Sequence, residues 1–367
     1  MSHTTRRPLA ALLLVVLAAG CGSDSATNPT ARGFLDGTDA NPQVGVVLNS
    51  TGRSLVLFQL GSPTTTRTVA LSTSSTASPV GFSLRGRRAA VPLGGAASVA
   101  LVDLDAASVT RYFTFPSGNA TGSAWADDST VIAANTNGDA VGRFRVGQSG
   151  DAIATTVAVA PQPTAVVVAG GRAFVVSANL DKNNSFVPLG PGVVTAIDPA
   201  TMAVLGTVRT GGTNPTAAAV GPDGKLYVVN TTDYSDGSLT IIDPTRLAVE
   251  ATVPGMGVGP GAITIDGQGL AYISGFFFGT LVWDTKSRQF VRGPSNPVCA
   301  PAAALAGACR GAFDAAVAAD GSVYQAFFGD AQHKLAPQLF VYAPGTFALR
   351  DSVAAGSDPA AVQVRTF

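Results

Sequence analysis

From about residue 44 onward, short apolar runs alternate with clusters of turn residues along the whole chain. The clearest stretch is 214–253, where residues 216–220 are an apolar run and Gly221-Pro222-Asp223-Gly224 a turn. Three further runs follow at 225–230, 238–243 and 247–253. Runs this short, rich in Val, Ile, Leu and Tyr and bounded by Gly, Pro and Asp, predict strands. Asp-Gly between two of them predicts a hairpin, because Gly accepts the positive φ that such a turn needs.

The unit returns with altered spelling. Its turn recurs as Arg85-Gly86, Asp127-Asp128, Gly170-Gly171, Asp266-Gly267 and Asp320-Gly321. Its second strand recurs at 46–49, 89–93, 131–135, 173–177, 271–274 and 322–326, and its third at 54–59, 98–103, 140–146, 193–198, 280–284 and 338–342. A period of roughly 40–45 residues with four short strands per unit is the mark of a β-propeller. There are seven second strands but only six hairpin turns, because the first unit opens at its second strand. The missing piece lies at the other end, where Asp358-Pro359-Ala360-Ala361-Val362 matches the opening Asn214-Pro215-Thr216-Ala217-Ala218. The expected fold is therefore all-β: a seven-bladed β-propeller of four-stranded blades over residues 43–367. Its ring is closed by the C-terminal strand joining the N-terminal blade, which pairs edges that would otherwise template aggregation.

Tyr227-Val228-Val229-Asn230 followed by Ile242-Asp243-Pro244 resembles the YVTN-type seven-bladed propeller repeat, common in bacterial and archaeal surface and periplasmic proteins. The match is clear over residues 163–284; elsewhere Ala89-Ala90-Val91-Pro92 and Val323-Tyr324-Gln325-Ala326 keep the shape and lose the letters. Such repeats specify fold well and function poorly.

The N-terminus carries an address. Arg6-Arg7 precede an apolar run at 9–19 that is too short to span a bilayer. Leu17-Ala18-Ala19-Gly20-Cys21 then resembles the bacterial lipobox, which implies a signal peptide at 1–20 and lipidation of Cys21. The competing reading is a plain signal peptide with a chance cysteine. Pro8 directly after the twin arginines favours an ordinary charged leader over folded export. Residues 21–42, rich in Ser, Thr, Asp, Asn, Gly and Pro, are expected to be a flexible tether. Gly22-Ser23 is not the Asp-containing signal associated with inner-membrane retention, so an outer membrane is favoured if there is one. The expected product is an exported lipoprotein held at a membrane by its lipid, facing the periplasm or the cell surface. In that oxidising setting Cys299 and Cys309, ten residues apart, are expected to form a disulfide. A metal pair is the competitor, but no neighbouring His or Cys completes a shell.

Composition narrows the chemistry. With 46% hydrophobic residues, 42 Gly and 23 Pro, the chain suits many short strands around a large core. Formal net charge is zero and no basic run follows Arg7, so no nucleic-acid partner is expected. His3 would leave with the leader, so His333 would be the only histidine of the mature chain, and Glu250 is its only glutamate. Multi-histidine copper, zinc or haem sites are excluded, and neither a metal nor a cofactor is expected. A Ser-His-Asp triad would have to use His333 with Asp330, and no Gly-x-Ser-x-Gly elbow presents a serine. Glu250 falls on an outermost strand and is expected to be a solvated edge charge. Asn49, Asn135 and Asn230 end equivalent strands; they form either a ring of amides able to take sugar or cation, or caps on their own turns.

In four-stranded blades the second-to-third loops and the interblade loops emerge on one face of the ring. Every long insertion falls there, over blades 4–7. Blade 4 contributes 178–191 with Asp181, Lys182, Asn183 and Phe186; blade 5 contributes 231–237 with Asp233 and Tyr234. Blade 6 contributes Phe276-Phe277-Phe278 and the cysteine loop, and blade 7 contributes 327–337 with Asp330 and His333. Since loops on a rigid scaffold carry binding, this face is the expected binding face. Its phenylalanines either form an aromatic patch or alternate into the blade packing and leave at most one ring exposed. Two functions fit. The first is a non-enzymatic binding or scaffold protein for an envelope protein, peptide or glycan. The alternative is a propeller-type hydrolase or lyase with Ca²⁺ or pore-lining Asp/Asn; the scarcity of Glu and His favours the first.

Overall fold

Seven four-stranded antiparallel sheets and one small two-stranded hairpin make up the described part of the chain, arranged in a ring. This computed structural model describes residues 33–301, 309–331 and 334–367, so the expected leader at 1–20, Cys21 and His333 lie outside the described residues. The repeat unit folds as its pattern dictates. In blade 5 the strands are Pro215–Val220, Leu226–Asn230, Ser238–Asp243 and Ala248–Pro254, ordered from the axis outward. The second and third are buried almost throughout, so they are continuously apolar. The fourth alternates between exposed and half-buried residues, as an edge strand with one wet face must. The turn between the first two closes with Gly221 N donating to Lys225 O at 2.9 Å, and Gly224 takes φ +76°, a conformation natural only to glycine.

The core is divided among the blade interfaces. Tyr227, Val229, Leu239 and Ile241 of blade 5, for example, pack against Ile263, Ile273, Leu281 and Trp283 of blade 6. Near the axis a polar stitch repeats. In every blade except blade 2 the innermost strand shifts register by one residue near its start, as at Thr216 between Pro215 and Ala217. The skipped threonine reaches the next blade: Thr121 Oγ1 donates to Pro163 O, Thr164 Oγ1 to Pro215 O and Thr216 Oγ1 to Pro260 O, at 3.2, 3.1 and 3.2 Å. Blades 6, 7 and 1 place Gly261, Phe313 and Ala360 at that position instead, so the stitch is interrupted on one side of the ring.

Closure is by the C-terminal strand. Pro359–Thr366 pairs antiparallel with Gln43–Asn49, from Gln43 opposite Thr366 to Asn49 opposite Pro359, and becomes the innermost strand of blade 1. Side chains lock the seam. The Asp358 carboxylate accepts from the Thr51 backbone N–H, from Thr51 Oγ1 at 2.6 Å and from Gly52 N at 3.1 Å. Asn49 Oδ1 accepts from Asp358 N at 3.1 Å, while its Nδ2 donates to Ala355 O at 2.9 Å.

Within the expected tether, residues 33–42 are described and are packed. Phe34–Asp36 forms a 3-10 turn whose Phe34 and Leu35 are buried in the core between blades 1 and 2, and Arg87 of blade 2 holds Asp36. Those two apolar side chains interrupt an otherwise polar segment, and burying them docks the chain just before blade 1. Glu250 also differs from expectation. Its side chain is only 19% exposed, and it pairs with Lys225 at 2.6 Å, Arg246 at 3.3 Å and Arg288 at 3.6 Å. It clamps blade 5 to blade 6 rather than standing in solvent.

Candidate functional site

A channel of about 1440 Å³ runs through the ring, walled by the innermost strands. Most of its wall is small: Ala217, Ala218, Ala262, Ala316 and Ala361 sit between the threonines of the stitch. At the mouth on the loop face the lining changes, and Tyr234, Phe313 and Phe328 enter it. Those rings belong to a contiguous aromatic arc. Phe313 lies against Phe328 with centroids 4.8 Å apart and meets Phe276 edge-on at 5.7 Å; Phe276 meets Phe277 edge-on at 5.2 Å. Tyr234 and Phe277 flank Gly259, where a side chain would run into Tyr234. The arc therefore spans blades 5 to 7 from the outer rim into the channel.

Local backbone explains why these rings are displayed. Phe276-Phe277-Phe278 is a tight connection between strands Leu270–Gly275 and Gly279–Asp284, with Gly279 at φ +86°. Phe278 turns inward, 8% exposed, onto Met256; Phe276 and Phe277 are 36% and 56% exposed. Tyr234, 60% exposed, tops the loop that Asp233 shapes by accepting from Ser235 N. Hydrogen bonds from Ser235 hold that exposed carboxyl below the usual range. The Phe276 carbonyl accepts from Gly311 N at 2.6 Å and Phe328 N donates to Gly311 O at 2.9 Å, which fixes the arc to the incoming strand of blade 7. The Cys299–Cys309 disulfide, Cα atoms 5.3 Å apart, ties the connection between blades 6 and 7 beneath it.

The blade 4 candidates stand apart. Asp181 caps a turn by accepting from Asn183 N at 2.9 Å, and its strand pairs with Val187–Pro188 in the small hairpin. Asn183 and Phe186 are exposed on that hairpin. Lys182 Nζ reaches Asp139 Oδ2 and Asn137 O of blade 3, each at 2.7 Å, so the hairpin is tied away from the aromatic arc. Asp330 exchanges backbone hydrogen bonds with Leu335 at the base of the blade 7 loop. Asn135 caps its own turn, its Oδ1 accepting from Gly138 N at 3.2 Å, and also braces the interblade loop, its Nδ2 donating to Ser117 O at 2.8 Å. Asn230 Nδ2 donates to Ser238 O at 3.3 Å across its own hairpin, and Asn49 Nδ2 donates to Ala355 O at 2.9 Å of the closing connection. Asp103, Asp198, Asp243 and Asp284 each accept from a backbone N–H two or three residues on, as turn-formers do.

Three further residues stand at the mouth without having been singled out among the candidates: Gly261, Phe313 and Asp314. Asp314, on the innermost strand of blade 7, lines the channel half-buried. Its Oδ2 accepts from Val362 N of blade 1 at 3.0 Å and its Oδ1 from Ala315 N at 2.9 Å. Burial outweighs those two donors and pushes the carboxyl up to about 7. A cue did exist in the sequence. Blades 4 and 5 open with Pro-Thr-Ala, while blade 6 opens with Pro-Gly-Ala and blade 7 with Ala-Phe-Asp. Departures from a repeat at one axial position mark a place where the ring differs from itself.

Among the described residues, no group of three or more His, Cys, Asp or Glu is placed to share a metal ion. No protein-family model matches the chain, and no curated protein matches it in sequence. Solved structures match in shape. Kuenenia stuttgartiensis hydrazine synthase superposes with a TM-score of 0.59 at 14% identity, covering 80% of this chain and 91% of that one. A functionally unknown protein from Desulfotomaculum acetoxidans DSM 771 superposes with a TM-score of 0.61 at 13% identity, covering 88% and 98%. At such identities the likeness concerns the fold, and the chain is a seven-bladed β-propeller.

Proposed function

We propose that this protein is a lipid-anchored propeller of the cell envelope, of the YVTN-repeat kind, acting as a binding or scaffold protein without catalysis. It captures an envelope protein, peptide or glycan on the loop face of blades 4–7, with the mouth over blades 5–7 as the contact centre. The observation that carries this reading is the aromatic arc continuous from Phe277 through Phe276 and Phe313 to Phe328, exposed at Phe276 and Phe277 and half-buried where Phe313 and Phe328 enter the channel. Exposed contiguous rings with a polar rim are the anatomy of recognition surfaces. The lipobox-like Leu17–Cys21 segment supports the anchor, and the Cys299–Cys309 bridge is in keeping with an oxidising compartment. A hydrolase or lyase would need a second titratable group at Asp314. Among the described residues, its carboxylate is bonded only to backbone N–H groups.

Site-specific photo-crosslinking in the native envelope tests the reading. A crosslinker replacing Phe277 is expected to trap a discrete partner, whereas one replacing Lys286, exposed on the opposite face, traps none. Equal trapping from both positions, or trapping from Lys286 alone, would discard the loop face as the docking surface. An alkyne fatty acid fed to the same cells should label the wild type and not Cys21→Ala; equal labelling of both would discard the anchor.

A further inference from the structure

We propose that the channel mouth beside Gly261 is a binding site for an organic ammonium cation, with Asp314 as counter-charge and the rings of Tyr234, Phe313 and Phe328 as its walls. The inference rests on the reading above and deepens it by naming the chemistry that the face recognises: a trimethylammonium or alkylammonium group on a small molecule or a partner.

Three observations converge. First, Asp314 has no Lys, Arg or His partner among the described residues; its two oxygens accept only from Val362 N and Ala315 N. A carboxylate ionised in a channel wall without a counter-charge is costly, and a cation arriving from solution would offset that cost. The charged groups on the elements packed against it do not pair with it. Asp358 is engaged by Thr51 and Gly52, and Arg365 lies at the far end of the blade 1 innermost strand. Burial that lifts the carboxyl to about 7 has the same origin.

Second, Asp314 shares its cavity with Tyr234, Phe313 and Phe328. Aromatic faces attract cations electrostatically within about 6 Å of the ring centroid and suit alkylated ammonium groups, which shed water easily. A hydrated metal ion needs several oxygen ligands and gains nothing from phenyl rings. A neutral apolar ligand would leave the carboxylate unused.

Third, there is room. A side-chain carbon placed on Gly261 meets nothing within 4 Å, although the equivalent threonines of blades 3–5 hydrogen-bond to the neighbouring blade. The gap lies between Thr216 of blade 5 and Phe313 of blade 7 in ring order, directly inside the arc.

Titration calorimetry of the folded protein with choline tests the proposal. The control is choline's uncharged isostere, in which a tert-butyl group replaces the trimethylammonium. Choline is expected to bind, with the isostere weaker by about ten-fold or more. Asp314→Asn and Gly261→Leu should each weaken choline by a similar factor while melting cooperatively. Gly261 has open space and no positive φ, so leucine there blocks the mouth without straining the fold. Wild-type affinity should fall as pH drops through the region of the Asp314 carboxyl, and Asp314→Asn should lose that dependence. Equal affinity for the isostere, no binding by the wild type at millimolar choline, or choline affinity unchanged in both variants would each overturn the site. None of those outcomes alters the crosslinking result from Phe277, so failure here is separable from failure of the binding face.

Discussion

Deleting residues 359–367 is expected to abolish the cooperative thermal transition. The strand supplies the whole innermost layer of blade 1 and pairs along Gln43–Asn49. Its loss would expose Val46, Val47 and Leu48, which are fully buried, and strip Ala361 and Val362 from two blade interfaces. Backbone hydrogen bonds contribute about 1 kcal/mol each. With the lost burial, the total is on the order of 5 kcal/mol or more. That approaches the entire stability of an ordinary domain, roughly 5–15 kcal/mol. The freed edge is also a template for pairing between molecules. The truncated chain should therefore be aggregated or melt without a sharp transition by circular dichroism. A permuted chain carrying 359–367 directly before Gln43 should regain the wild-type transition, since it restores the same strand from the other end. A truncated protein that melts as sharply as the full chain would show that the ring does not depend on this seam.

A second large effect is a pH dependence of stability traceable to Asp314. Its carboxyl sits at about 7 in the folded protein against 3.8 as the unperturbed value. Below the lower value it is protonated in both states and changes nothing. Between the two, the folded state binds the proton that the unfolded state has released, so stability falls as pH rises and levels off above about 7. The fall is on the order of 4 kcal/mol as an upper bound, at about 1.4 kcal/mol per pH unit. Asp127 titrates elsewhere: hydrogen bonds from Ser129 and Thr130 hold it at about 2. Its contribution is lost only below the ordinary carboxyl range. Urea unfolding across this window should show the decline in the wild type and a flatter profile in Asp314→Asn. Parallel profiles for the two proteins would mean that the carboxyl ionises without cost.

The architecture was readable because its evidence is redundant. The match of Asp358–Val362 to Asn214–Ala218, with a missing first strand at the start of blade 1, announced the closure that pairs Gln43–Asn49 with Pro359–Thr366. The binding face was legible only as loop length. The three consecutive phenylalanines allow either an aromatic patch or an alternation that exposes at most one ring. The structure exposes two, because Phe276-Phe277-Phe278 is a turn between Gly275 and Gly279 where strand alternation does not apply. The blade 4 loop lies on the same face but leans toward blade 3, where Lys182 bonds to Asp139, a contact 43 residues away that no local pattern encodes. Asp314 was hidden for a different reason. Its importance comes from the missing counter-charge around it, which is a property of the packed ring and not of its neighbours in sequence.

Hydrogen exchange of the folded protein with and without choline tests the central claim most directly. Slowed exchange is expected at 231–237, 275–279, 311–315 and 327–330, with the turns at 221–224, 266–269 and 318–322 on the opposite face unchanged. Slowing confined to those opposite turns, or no slowing anywhere, would contradict that claim.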